Sequence, residues 1–293
     1  MTLRKIFLLG CLIAMLMASS VLMWSQQAAI PEQKTGTPTL GEILQRLQEN
    51  VDRYLAQVPS FFCDEHVVST IVPDPQRESN VTDSTFRLKR VLDPANKGRT
   101  VLEESHEVKR VNGRPATGDT VGGPASLHGA FSNGLALVSA NQQACMRYTL
   151  KPIKQNKAND PITIQFVSVP ARVRPNDCGM KEDLSGRVQI DPVTMQVTHL
   201  EFTAPHHFIG TAEQPTYYGL RLEANWIVGQ WDVTVEYAPV VLEGKRFWLP
   251  TKISDRMRSS LVVNRWSYDA TYSNYHKLEV TSRILPGDGS TAP

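Results

Sequence analysis

Cys63-Asp64-Glu65-His66 puts four potential metal ligands in consecutive positions. On an extended strand successive side chains point to opposite faces, so only Cys63 with Glu65, or Asp64 with His66, can converge. Two ligands do not make a site, because a bound transition metal needs three or four in a defined geometry. His206-His207, after Pro205, lacks a third partner at ligand spacing for the same reason. Gln143-Ala144-Cys145 has the shape of a caspase nucleophile segment, but Met146-Arg147 replaces the expected continuation. There is no Gly-x-Ser-x-Gly elbow and no His-Glu-x-x-His helix, and the glycines between 113 and 134 lack the Gly-Lys-Ser/Thr ending that cradles phosphate. The sequence therefore assigns no catalytic residue, no metal ligand and no cofactor. A hydrolase whose triad residues are scattered along the chain stays open as the enzymatic alternative.

The aromatic residues are the better lead. Phe166, Phe202, Trp231, Tyr237, Trp248 and Trp266 fall on segments that read as strands of one sheet. In a filled domain they are core; on the concave face of an under-filled sheet they line an apolar pocket. Trp231, Trp248 and Trp266 come from three successive segments, which a meander makes neighbours, and the glycine-rich stretch 112–134 is placed to close over them as a lid. Small residues opposite the aromatic strands would distinguish a cavity from a filled core.

These side chains need a scaffold, and the hydrophobic period supplies one. Thr39 and Glu42 form a capping-box pattern, and apolar residues recur at helical spacing from Leu40 to Val58 until Pro59 ends the run, which predicts an amphipathic helix over 40–57. From Phe61 the period becomes two. Strands are expected at 61–72, 84–92, 100–111, 146–150, 162–169, 185–190, 196–202, 230–237, 246–253, 261–272 and 277–285. In the eighth of these Trp231, Val233, Val235 and Tyr237 alternate strictly with Gln230, Asp232, Thr234 and Glu236. Asn112-Gly113, Asp191-Pro192 and Glu243-Gly244-Lys245 sit where tight turns are needed. The fold class is α+β, mainly antiparallel β: a curved sheet or incomplete barrel with the helix packed on it. One domain over 39–285 is expected, with a glycine-rich insertion at 112–141 carrying one or two short helices, and a loose tail at 286–293.

Arg4 and Lys5 precede an uncharged run from Ile6 to Trp24. Residues 1–29 read as a signal peptide, cleavable after Ser20, or as an N-terminal anchor spanning 6–24, and 30–38 as a linker. Leu8-Leu9-Gly10-Cys11 has the form of a lipoprotein box, but the apolar run continues past Cys11, which makes that cysteine apolar filler. An exported protein, periplasmic or secreted, is the expectation. Without Arg4 and Lys5 the excess of 31 basic over 29 acidic residues disappears, and no basic run occurs, so neither nucleic acid nor an anionic membrane is indicated as a partner.

Cys63, Cys145 and Cys178 remain after the leader, and sequence alone permits three pairings. Cys145 with Cys178 is favoured, because the hairpin 145–169 returns beside Cys145 just before the chain reaches Cys178. Cys63 is then a buried free thiol.

Ser185-Gly186-Arg187-Val188-Gln189-Ile190-Asp191, Thr194, Val197, Leu200-Glu201, Tyr237 and Phe247-Trp248-Leu249-Pro250 together resemble the lipoprotein-carrier (LolA/LolB-like) superfamily of the bacterial envelope, best over 185–285. The chain also resembles secreted proteins of environmental bacteria. The carrier resemblance implies an incomplete barrel with helices over an apolar cavity that holds acyl chains, and a lipid or lipoprotein as partner. Phe61 to His66 and the glycine-rich insertion are not part of that pattern. The leading expectation is a non-enzymatic protein binding an apolar ligand in the concavity. The alternative is a structural or interaction subunit of the envelope, with a protein partner and no small-molecule ligand; a secreted hydrolase is third.

Overall fold

The computed structural model describes residues 38–72, 78–93, 99–117, 129–132, 134–152, 160–178, 180–212, 225–259 and 265–279. The leader, nearly all of the linker, and the tail lie outside the described residues, as do 118–128 of the insertion.

Helix α1 (Leu40–Gln57) begins where the sequence places it. The Thr39 N–H donates to Glu42 Oε2 at 2.8 Å, while Thr39 Oγ1 accepts from the Glu42 N–H at 3.3 Å, which completes the capping box. Ile43, Leu44, Leu47, Val51 and Tyr54 form the buried stripe, whereas Leu55 turns outward at 38% exposure. Arg90 closes the other end by donating to the Leu55 and Val58 carbonyls at 2.7 and 2.9 Å, satisfying acceptors that the helix leaves open.

Eleven antiparallel strands follow among the described residues: β1 (Phe61–Val72), β2 (Glu78–Asp93), β3 (Arg99–Val111), β4 (Arg114–Pro115), β5 (Met146–Leu150), β6 (Ile162–Ser168), β7 (Ser185–Ile190), β8 (Val197–Ala212), β9 (Asn225–Leu242), β10 (Lys245–Ser259) and β11 (Arg265–Lys277). They form one open, curved sheet in the order β4-β3-β2-β1-β11-β10-β9-β8-β7-β6-β5. The chain thus lays down β1 to β4 outward from the middle, crosses to the far edge, and meanders back until β11 pairs with β1.

Alternation decides which face is inner. Phe61, Cys63, Glu65 and Val67 are buried while Asp64 and His66 are exposed, and Ile162, Ile164, Phe166 and Ser168 repeat the pattern on β6. α1 lies at one end of this inner face, where Asn50 Nδ2 donates to the Met195 carbonyl at 2.6 Å in the β7–β8 turn and Arg90 reaches it from β2. The crossover between β4 and β5 returns into the concavity through Phe131, whose ring stacks on Phe86 at 4.3 Å and meets Tyr272 edge-on at 4.9 Å.

Several boundaries differ from the sequence reading. β8 and β9 extend well past 202 and 237, with a bulge between Ala204 and His207 that accommodates Pro205. β10 continues beyond Ile253 to Ser259, because Asp255 and Met257 keep facing inward. Of the strand expected at 261–272, the described part belongs to β11, which runs on to Lys277 with Asn274 in a left-handed conformation (φ 54°) inside it; of the strand expected at 277–285, Leu278 and Glu279 lie beyond the end of β11, and 280–285 lie outside the described residues. Asn112 and Gly113, and Glu243 and Gly244, all have positive φ, as two-residue hairpin turns of the primed type require. The insertion carries short 3-10 helices at Gly134–Leu137 and Ala140–Gln142.

The Cys145–Cys178 disulfide forms, with a Cα separation of 5.7 Å, and Cys63 is a buried free thiol.

Candidate functional site

Residues directly opposite one another on adjacent strands share a face. Met257 on β10 lies opposite Trp231 on β9 and opposite Trp266 on β11. A Trp–Met–Trp row therefore crosses three neighbouring strands on the inner face, at the end remote from α1. Both tryptophans are half-buried and Met257 is 9% exposed. One inward-facing position nearer the helix runs a second row: Phe166 opposite Gly186, Gly186 opposite Phe202, Phe202 opposite Val233, Val233 opposite Asp255 and Asp255 opposite Tyr268.

A polar contact links the two rows. Trp231 Nε1 donates to Asp255 Oδ1 at 2.8 Å, and Asp255 is 1% exposed. The indole also meets Phe202 edge-on at a centroid distance of 5.2 Å. With its single polar atom engaged inside the sheet, Trp231 presents only hydrocarbon to the concavity. Burial, and then the nearby Asp255 charge, raise the Tyr268 phenol above its ordinary pKa, so it stays protonated at neutral pH.

Four of the six aromatic residues singled out in the sequence thus gather in one half of the inner face: Phe166, Phe202, Trp231 and Trp266. Tyr237 and Trp248 do not join them. Tyr237 is buried in the helix half, where burial and then the Glu104 charge raise its pKa. Trp248 lies on the same strand as Met257 but about nine residues away, roughly 30 Å at strand rise, and lines a separate small pocket against α1. The expectation that the three tryptophans are neighbours does not hold: Trp231 and Trp266 share a row but are separated by Met257, and Trp248 lies elsewhere. β10 is long enough to carry the third to the opposite end.

Small residues do face the aromatics, with different consequences. Ala204 lies opposite Trp231 and is completely buried. Gly186 sits between Phe166 and Phe202; a Cβ there would come within 2.2 Å of the Glu201 carbonyl oxygen and 2.6 Å of the Phe166 ring. That glycine serves close packing rather than a cavity.

The helix half of the concavity is filled. Glu104 on β3 accepts from the backbone N–H groups of Gly129, Phe131 and Ser132 at 2.8, 3.0 and 2.6 Å, and the Tyr54 hydroxyl donates to the Phe131 carbonyl at 2.7 Å. Residues 129–132 of the glycine-rich segment are therefore pinned to the inner face, 112–117 form the exposed β3–β4 hairpin, and 118–128 lie outside the described residues. Beside it Glu65 Oε2 lies 2.8 Å from His106 Nδ1, with both side chains largely buried.

Sequence reasoning missed Asp255, Met257 and Tyr268. The available signal was the alternation Ile253-Asp255-Met257 against Lys252, Ser254, Arg256 and Arg258, which a charged residue on the inner face disguises.

The Cys63 to His66 segment divides as strand geometry requires. Cys63 and Glu65 point inward, while Asp64 accepts from Asn274 at 2.8 Å and His66 pairs with Asp83 at 2.7 Å on the outer face. Burial, with Glu65 next, pushes the Cys63 thiol well above its ordinary pKa, which makes it a poor nucleophile and ligand. His206 is exposed; the side chain of His207 lies outside the described residues. Among the described residues no group of three or more His, Cys, Asp or Glu could hold a metal ion, and no helix is long and apolar enough to cross a membrane. A groove of about 610 Å³ lies on the outer face of β5 to β9, but Arg187, Glu201, Thr203 and Asp232 give it a polar lining unsuited to an acyl chain.

No family model matches the chain, and no curated protein matches it. Among solved structures it is similar to a LolA superfamily protein from Nitrosomonas europaea (14% identity, 83% of this chain and 94% of that chain covered, TM-score 0.31). It is also similar to a Vibrio parahaemolyticus domain named for outer membrane lipoprotein sorting (9% identity, 80% and 92% covered, TM-score 0.34). A DUF1329 family protein from Desulfovibrio piger overlaps to a comparable degree (10% identity, 80% and 92% covered, TM-score 0.36).

Proposed function

We propose that the chain is an exported, non-enzymatic protein that holds an apolar ligand, a lipid or the acyl chain of a lipoprotein, against the Trp231–Met257–Trp266 end of the concave face. The observation that carries the reading is that this row is apolar, with both tryptophans half-buried, while Trp231 commits the one polar atom of its side chain to Asp255. Flat rings held in place by packing, with a flexible thioether between them, suit a ligand that has length but no fixed shape. The magnitude is adequate: each methylene taken from water is worth about 0.8 kcal/mol, so about sixteen methylenes supply roughly 13 kcal/mol gross, which leaves roughly 8 kcal/mol, micromolar binding, after about 5 kcal/mol is lost to ordering.

A structural or interaction subunit with a filled interior is the second reading, and Phe131 favours it for the helix half, where that ring occupies the space between Phe86, Tyr272 and Phe61. Native mass spectrometry of protein recovered from an exporting host separates the two. Lipid that co-purifies with the wild type and is lost on Trp231→Ala with Trp266→Ala supports the carrier. A ligand-free chain in a fixed complex with an envelope protein supports the subunit and overturns the carrier.

A further inference from the structure

Beside α1, and separate from the aromatic rows, lies a pocket of about 220 Å³ whose lining includes Arg53, Lys245 and Arg246, with Phe247 and Trp248 as its aromatic wall. The fold brings these cations together from distant parts of the chain. Arg53 projects from the last turns of α1; Lys245 and Arg246 follow the Glu243-Gly244 turn and lie opposite Leu242 and Val241 on β9. All three are exposed. Arg53 donates to a neutral partner, Asn50 Oδ1, at 3.1 Å. The nearest acid on the hairpin, Glu243, is paired with Lys277, and among the described residues no carboxylate lines the pocket. Three like charges around one small concavity repel one another, and an anion seated among them relieves that cost.

We propose that this pocket binds a phosphate group, as carried by a phosphorylated glycerol or by the head of an anionic phospholipid. Two guanidinium groups offer planar pairs of donors that match phosphate oxygens, and the lysine adds a point charge. Trp248, half-buried in the wall, provides an apolar surface for the carbon skeleton next to the phosphate. The net charge of the chain, near zero once the leader is set aside, gives no hint of such a site, because the cluster exists only after α1 docks on the hairpin.

Calorimetric titration of the folded chain with sn-glycerol 3-phosphate at low salt, alongside glycerol, tests this directly. Flotation with phosphatidylcholine vesicles, with and without phosphatidylglycerol, identifies the source. The proposal expects binding of glycerol 3-phosphate or of the phosphatidylglycerol vesicles, none of glycerol or of pure phosphatidylcholine, and weakening by added salt. Lys245→Gln with Arg246→Gln, on an exposed hairpin that should fold unchanged, weakens it by at least about tenfold. Binding of free glycerol 3-phosphate assigns a soluble phosphoester, and binding of vesicles alone assigns a phospholipid surface. Absence of both, or binding that the double variant leaves unchanged while its melting curve matches the wild type, overturns the proposal.

Discussion

Trp231 on β9 donates its indole N–H to Asp255 on the adjacent strand β10, across 2.8 Å. A carboxylate that is 1% exposed inside a hydrophobic sheet face is costly to desolvate, and here it orients the ring that the proposed ligand would touch. The bond links the two aromatic rows: remove it, and Trp231 has a polar atom to satisfy in the concavity.

Asp255→Ala should therefore destabilise the protein by about 1–3 kcal/mol, through the unsatisfied indole and the space left behind. Asp255→Asn, which retains the Oδ1 acceptor, should cost less. Denaturant unfolding of the two variants checks the order; equal losses would mean that the bond does not position the ring.

Gly186→Ala should lose about 2–3 kcal/mol, because two of the three atoms that a Cβ would strike, the Glu201 carbonyl oxygen and the Phe202 Cα at 2.9 Å, belong to the backbone and cannot rotate away. Trimming the third with Phe166→Ala should not restore stability. Recovery in that double variant would locate the strain in the ring alone.

Cys145→Ser should cost about 3–4 kcal/mol, the chain entropy released when a loop with a sequence separation of 33 residues is no longer closed in the unfolded state. Chemical denaturation of the variant and the oxidised wild type measures it. A loss under about 1 kcal/mol would show that the loop is held by packing rather than by the bridge.

The Asp191 carboxylate accepts from the Thr194 N–H at 2.7 Å, the Thr194 hydroxyl at 2.9 Å and the Val193 N–H at 3.0 Å, fixing the turn that carries Met195. The Thr194 backbone bond dominates in holding its pKa below the ordinary carboxylate range, against the opposing effect of burial. A carboxylate depressed in this way contributes stability that is present above its unfolded pKa and is lost as pH falls through the folded one. Asp191→Asn should thus cost about 1 kcal/mol at neutral pH, and the gap to the wild type should close below about pH 4. A gap that stays constant down to acid pH would contradict this.

Much of this architecture is legible in the order of the residues. The stripe from Ile43 to Tyr54, the limits of β1, β5 and β7, the Asn112-Gly113 and Glu243-Gly244 turns, and the Cys145–Cys178 bridge all follow from local periodicity and turn chemistry. What local pattern cannot supply is the pairing of β1 with β11, which closes the sheet order across most of the chain. Nor does it reveal where on a long strand a side chain ends up. Trp231 and Trp248 look equivalent in sequence, yet the length of β10 places them at opposite ends of the sheet, one against Met257 and the other against α1. Asp255 hid Met257, because a charge on the inner face reads as the end of a strand until the Trp231 indole explains it.

A fluorescent fatty acid titrated into the wild type, the Trp231→Ala/Trp266→Ala variant and the Trp248→Ala variant tests the central claim most directly. The account predicts micromolar binding by the wild type, weakening of at least about tenfold when the pair flanking Met257 is truncated, and unchanged affinity on truncating Trp248 roughly 30 Å away. A wild type that binds no probe at micromolar concentration, or a Trp248→Ala loss as large as that of the pair, would contradict it.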